Sequence, residues 1–284
     1  MSPLHDRIGL HSWTLDTTPL ADVLRIAREA GYNAVELRHV DFKRCIEAGM
    51  SNEQVLDMIR ASGIEVSCMG LESGTIFARG DEQRRLFDSM DKMCARAAAL
   101  DCEVMMVAPG TNPAGSLQEA ARNFAIGGEI AQKYGLLCAL EFNSRHPVVN
   151  RLAVAREILA LANQPNCGLL IDTYHAQCAG DGGRAFEDVP ASDIIAFQFS
   201  DVPPGPISRT GTALDRLPPG KGVVRWREVL QLLMEKGYER YINYEAPNSA
   251  QWSRPPAEVA REGITLIKAL LADATAAARR AANR

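Results

Sequence analysis

Four segments decide the fold of this 284-residue chain: LLCALEF at 136–142, CGLLIDTYH at 167–175, IIAFQFSD at 194–201 and RYINYEAP at 240–247. Each is an apolar, largely aliphatic run with the length of a buried parallel strand. Each also carries one metal-capable polar side chain near its end: Glu141, Asp172 (with His175 one turn on), Gln198 and Glu245. A carboxylate closing a buried strand is costly unless it is paired or bound to a cation. Four oxygen donors at successive strand ends point to one shared divalent metal at the mouth of a barrel.

Working outward, strand and helix patterns alternate along the whole chain. Strands are expected at Arg7–Trp13, Ala34–His39, Glu65–Gly70, Val104–Pro109, Leu136–Phe142, Cys167–His175, Ile194–Asp201 and Arg240–Pro247. Helices are expected at Pro19–Gly31, Asn52–Gly63 (Ser51 as N-cap), Asp81–Leu100, Leu117–Gly135, around Leu152–Ala162, near Phe186, and at Val224–Gly237 and Pro256–Ala274. Eight strands each followed by a helix predict a (β/α)8 TIM barrel. The rival doubly wound sheet lacks its GxGxxG after the first strand. No linker or composition shift divides the chain, so residues 1–284 read as one domain, with 273–284 as a frayed helical tail. The Pro- and Gly-rich connection from Val202 to Val223 is long for a compact barrel and is expected to lie over the mouth.

Composition sets the surroundings. Hydrophobic content of 46%, charged content of 23% and a net charge of −4 are ordinary for a soluble protein and provide no basic footprint for nucleic acid. Seven cysteines without a CxxC pair read as reduced core thiols. No signal-peptide pattern opens the sequence and no run of about 18 apolar residues exists, so a cytoplasmic protein is expected.

Period-two alternation puts Leu137, Ala139 and Glu141 on one strand face, and does the same for Leu170 with Asp172, Ala196 with Gln198, and Asn243 with Glu245. Three carboxylates and an amide oxygen form a hard ligand set suited to Mn²⁺ or Mg²⁺, one ion per chain. His11 and Trp13 close the first strand and are candidates to line the pocket. Asn143, Arg145 and His146 follow Glu141 on the next loop and are further candidates for substrate contact.

The chain resembles the xylose isomerase-like, or AP-endonuclease-2-like, barrel superfamily of sugar isomerases, epimerases and dehydratases. The matching pieces are AVELR (Glu36), ALEF (Glu141), LLIDTYH (Asp172, His175), FQFSD (Gln198), DRLPPGKG (Arg216) and YEAP (Glu245), spanning the second strand to the eighth. The resemblance to ketose 3-epimerases and inosose isomerases implies that Glu141 and Glu245 bind metal and move protons, and that Asp172 is a ligand. It also implies that His175 and Arg216 contact substrate and that Glu36 lines the site. Two residues depart from the pattern. Many of these epimerases carry histidine in place of Gln198, whereas glutamine there resembles some 3-dehydroshikimate dehydratases. Lys221 stands where relatives commonly have an acidic residue or glutamine.

The expected chemistry is epimerisation or 1,2-isomerisation of a sugar, keto-sugar or cyclitol. A divalent ion would act as Lewis acid toward an enediolate, while Glu141 and Glu245 remove and return the proton α to the carbonyl. His175 is placed to orient or protonate the oxygen, and His11, Glu36, His175 and Arg216 are the expected substrate-binding residues. Loss of a β-hydroxyl from the same enolate would instead make the protein a dehydratase. The remote alternative, an AP endonuclease, needs a histidine-rich zinc cluster; of the five histidines, only His175 lies in a matching motif. The expected partner is a small polyhydroxylated molecule, with no nucleic acid or membrane and with homo-oligomerisation left open.

Overall fold

A computed structural model describes residues 3–110, 115–206 and 211–282. Eight parallel strands close into a barrel in chain order: β1 Ile8–His11, β2 Ala34–Arg38, β3 Glu65–Gly70, β4 Val104–Val107, β5 Leu137–Glu141, β6 Cys167–Asp172, β7 Ile194–Phe199 and β8 Ile242–Tyr244. Around it run α1 Leu20–Ala30, α2 His39–Glu47, α3 Asn52–Ser62, α4 Gly80–Ala99, α5 Leu117–Gln132, α6 Leu152–Ala162, α7 Thr173–Ala179, α8 Trp226–Glu235 and α9 Pro256–Ala282. This is the expected (β/α)8 barrel. Among the described residues, no helix is long and apolar enough to cross a membrane. All seven cysteines are free thiols.

Two apolar layers follow from strand alternation. The larger fills the space between barrel and helices, with Leu10, Val35, Leu140, Leu169, Ile171, Phe197 and Ile242 pointing outward. The smaller plugs the barrel interior with Cys68, Val104, Met106, Ala139, Leu170, Ile195 and Ala196. Small and branched residues fill that interior, and the polar strand ends sit above it. Gly263 lets α9 lie against β8, because a Cβ there would run into the Tyr244 ring.

The structure corrects several expected boundaries. The segment 167–175 stops being a strand at Asp172, whose Oδ1 accepts the Tyr174 N–H at 2.7 Å and caps α7. The helix expected near Phe186 does not form there: residues around Phe186 are turns, and the helix after β6 is α7, ended by Gly180 at φ 89°. Helix α2 was not anticipated. Its only buried side chains are Asp41 and Phe42, so its apolar periodicity is weak, and Asp41 Oδ2 caps it by accepting the Arg38 N–H at 2.8 Å. The last helix continues through Ala282 rather than stopping near Ala274. Residues 207–210 of the expected mouth loop lie outside the described residues.

Candidate active site and metal centre

Each strand delivers its polar terminus to the same end of the barrel. Parallel pairing aligns Asp172 with Gln198 and Gln198 with Asn243, two residues short of Glu245, while Glu141 stands level with Leu170 on β6. All four predicted metal-binding residues are buried, Asp172 and Gln198 completely.

Arg216 is the centre of charge. Its Nη1 donates to Asp172 Oδ2 and Glu245 Oε2, both at 2.7 Å, and its Nη2 lies 3.2 Å from His175 Nε2. The guanidinium stands 4.7 Å from the Tyr174 ring centroid, a cation–π contact in a dry site. The loop carrying Arg216 is anchored by Asp201. Its Oδ1 accepts the Val202 and Val224 N–H groups, and its Oδ2 accepts Gly220 N–H and Trp226 Nε1–H, at 2.8–2.9 Å. Gly220 takes φ 82° in that turn, a conformation favouring glycine. Asp201 belongs to the FQFSD motif, but only the folded loop reveals its role; four donors from up to 25 residues away meet on it.

His175, on the first turn of α7, faces Glu141 Oε1 at 3.8 Å through Nε2. Its Nδ1 lies 2.9 Å from Ser144 Oγ. Nδ1 also accepts the Ser144 N–H at 3.3 Å, and burial pushes the His175 pKa down to about 3, so the ring is neutral. His11 is tied in a single tautomer. Its Nδ1 accepts the Trp13 N–H at 3.0 Å, so the proton sits on Nε2, 3.4 Å from Glu245 Oε1 and 3.8 Å from Glu36 Oε1.

Burial, reinforced by Glu245 and Asp172, raises the pKa of Glu141 well above the carboxylate range. Burial likewise pushes Glu245 up to about 7 despite Arg216, and Glu36 up to about 8 with Glu245 adding to the effect. Asp172 differs: burial would raise it, but Arg216 and His175 hold it below the usual value. Three carboxylates around one guanidinium are thus under-compensated. Glu141, Asp172 and His175 offer donor atoms within 4.8 Å of one another. Gln198 Oε1 is a buried acceptor without a partner among the described residues. Such a set fits a divalent cation, which would supply the charge that burial now makes costly. Relative to the sequence expectation, the structure adds His175 to the potential ligands and holds Glu245 on Arg216.

A cavity of about 550 Å³ opens above this centre, lined by Glu141, His175, Arg216, Glu245 and His11, and by Trp13, Leu71 and Met106 on an apolar wall. Asp172, Gln198 and Glu36 do not line it; Glu36 connects to it through Gln198 and His11. Asn143, Arg145 and His146 do line it.

A family model described as a xylose isomerase-like TIM barrel matches residues 24–270. An inosose isomerase of Halalkalibacterium halodurans is 25% identical over 241 residues, covering 82% of this chain and 84% of the relative. A solved structure described as the IOLI protein with a binding zinc atom superposes with a TM-score of 0.82 at 20% identity, covering 94% of this chain and 98% of that one. A structure of L-ribulose 3-epimerase superposes with a TM-score of 0.77 at 18% identity, covering 99% of this chain and 98% of the other. At these identities the superpositions establish the shared barrel.

Proposed function

This enzyme belongs to the xylose isomerase-like TIM barrel family, and from that premise we propose that it is a divalent-metal-dependent isomerase or epimerase of a sugar, keto-sugar or cyclitol. The observation that carries the reading is the convergence of Asp172, His175 and Glu245 on Arg216 at the mouth, with Glu141 facing His175. The named relatives, an inosose isomerase and an L-ribulose 3-epimerase, act on carbonyl compounds of this kind and support it. Glu141, Asp172, Gln198 and Glu245 are the proposed ligands, with His175 as an additional donor, and the hardness of the oxygen set favours Mn²⁺ or Mg²⁺. Bound there, the ion would supply Lewis acidity toward the substrate carbonyl.

The chain's own groups then divide the proton work. Glu141 has no hydrogen bond from the described residues, and its raised proton affinity suits a base. Glu245 accepts from Arg216 Nη1 on Oε2, has His11 Nε2 3.4 Å from Oε1, and serves as its partner in exchanging the proton α to the carbonyl. His175 and Arg216 hold the substrate oxygens.

The test is a panel of ketoses, inososes and dehydroshikimate incubated with Mn²⁺ in deuterated water. Solvent deuterium α to the carbonyl in a product of unchanged skeleton is the expected result. Retention of the substrate's own α-hydrogen would overturn the acid–base reading in favour of hydride transfer. Loss of water would assign the dehydratase chemistry, which Gln198 supports through its resemblance to some dehydratases.

A further inference from the structure

Among the described residues, His146 is a buried polar group that the proton chemistry leaves unused and whose donor direction is determined. It sits in the loop after β5, which is closed on itself by Asn143 N–H to Val149 O at 2.9 Å and His146 N–H to Asn143 O at 2.8 Å. His146 Nδ1 accepts two backbone N–H groups, from Val148 at 3.0 Å and Val149 at 2.8 Å. A nitrogen accepting two donors carries no proton, so the ring is the Nε2–H tautomer. The ring lies parallel to Phe77, with centroids 5.3 Å apart and planes 2° apart, which fixes its plane as well. Burial lowers its pKa and keeps the ring neutral.

The opposite nitrogen is unsatisfied. His146 is 5% exposed, and Nε2 has no hydrogen-bond partner among the described residues, yet the side chain lines the 550 Å³ cavity that holds Glu141, Glu245 and Arg216. A buried N–H without an acceptor costs about 1–3 kcal/mol. A donor held there by two hydrogen bonds and a ring stack, on a side chain that lines a cavity, is accounted for by an acceptor that arrives with the ligand.

We propose that His146 is a specificity-determining residue whose Nε2–H donates to an oxygen of a polyhydroxylated substrate at a position away from the reacting carbon. The inference rests on the sugar or cyclitol reading of this site. Among the described residues, His146 makes no hydrogen bond or ion pair with the acid–base glutamates or Arg216, so its contribution is to binding rather than to proton transfer. A site built around an oriented donor discriminates against analogues lacking the matching oxygen, because the donor is then left unpaired.

The test uses two variants with an inosose and L-ribulose as probes, each with Mn²⁺ supplied. His146→Asn retains an oxygen able to accept a backbone N–H two residues on but lacks the distal donor. His146→Phe retains the stack on Phe77 and lacks both nitrogens. For the probe that wild type binds, both variants should raise Kd or KM by roughly 3- to 10-fold. kcat should stay within about twofold and Mn²⁺ affinity should be unchanged, a split that a merely structural role would not produce. In ¹⁵N-histidine-labelled protein, the probe should shift the His146 Nε2–H signal. Equal probe affinity in wild type and both variants, a parallel fall in Mn²⁺ affinity, or failure of both probes to bind wild type overturns the assignment. Solvent deuterium exchange separates the two readings. Exchange with unaltered His146 variants removes this inference alone, and polyol binding weakened in the variants without any exchange removes the reaction alone.

Discussion

Gln198 Nε2 donates to Glu36 Oε1 across 2.8 Å in the sealed centre of the barrel, joining β7 to β2. This bond orients the amide, so that the oxygen, Oε1, is the atom turned away from Glu36. Glu36 therefore touches Gln198 and does not line the cavity, and a positioning role for it is the prediction. Partners that orient a metal-binding side chain typically contribute 10- to 100-fold to affinity. Glu36→Leu should weaken Mn²⁺ binding by about that factor in calorimetry, while the barrel's far-ultraviolet circular dichroism is preserved. Wild-type affinity in this variant would leave Glu36 without a positioning role.

Glu141→Gln and Glu245→Gln should behave differently from each other. Glu141→Gln removes a ligand charge and should lower both Mn²⁺ affinity and turnover. At saturating Mn²⁺, Glu245→Gln should suppress turnover and solvent exchange together by ~10²–10⁴-fold, the usual contribution of a positioned acid or base. Full exchange in the Glu245 variant would move the proton work to His175.

Stability of the metal-free protein should fall with rising pH. Glu36 and Glu245 hold their protons more tightly folded, up to about 8 and about 7, than an unfolded glutamate at about 4.3. Protonation therefore favours the fold: the contribution is complete below the unfolded value and is lost as pH rises through 7 and 8. The melting temperature should drop between pH 5 and pH 8, and Mn²⁺ should reverse much of the drop by binding the ionised form. A flat profile would show that these carboxyls are already compensated.

Arg216→Leu should be among the most destabilising single changes in the metal-free protein. It strands Asp172 and Glu245, which together receive three hydrogen bonds from Nη1. Removing one member of a buried pair typically costs about 3–5 kcal/mol. Denaturant titration measures the loss, and Mn²⁺ should shrink it, since the cation and Arg216 answer the same carboxylates.

Asp201→Asn should loosen the loop that carries Arg216. The substituted amide can no longer accept on both atoms, so at least one of the four donors is left unpaired, at about 1–3 kcal/mol. Turnover should fall with Mn²⁺ affinity little changed, because Asp201 itself touches no ligand candidate. Unaltered stability would mean that another contact anchors the turn.

The residues at strand ends were legible because alternation is local: Ala139 in the interior layer implies Glu141 at the rim. The same reasoning failed at 173–175, where period-two continuation ran past the point at which Asp172 turned its own carboxylate into a helix cap. It also passed over α2, which buries too little apolar surface to show a helical period.

By itself, the sequence determined the closed eight-stranded barrel, the end at which polar groups gather, and the identity of Glu141, Asp172, Gln198 and Glu245 as the buried oxygen donors. Those properties depend on the side-chain period along single strands and on the cost of burying a carboxylate. Only the tertiary structure decided which donors meet. Arg216 reaches Asp172 across 44 positions, Gln198 reaches Glu36 across 162, and the two N–H groups that fix His146 come from a loop folded back on itself. Hydrogen bonds act over about 3 Å and require aligned donors, and no periodicity along the chain encodes such distances between distant segments.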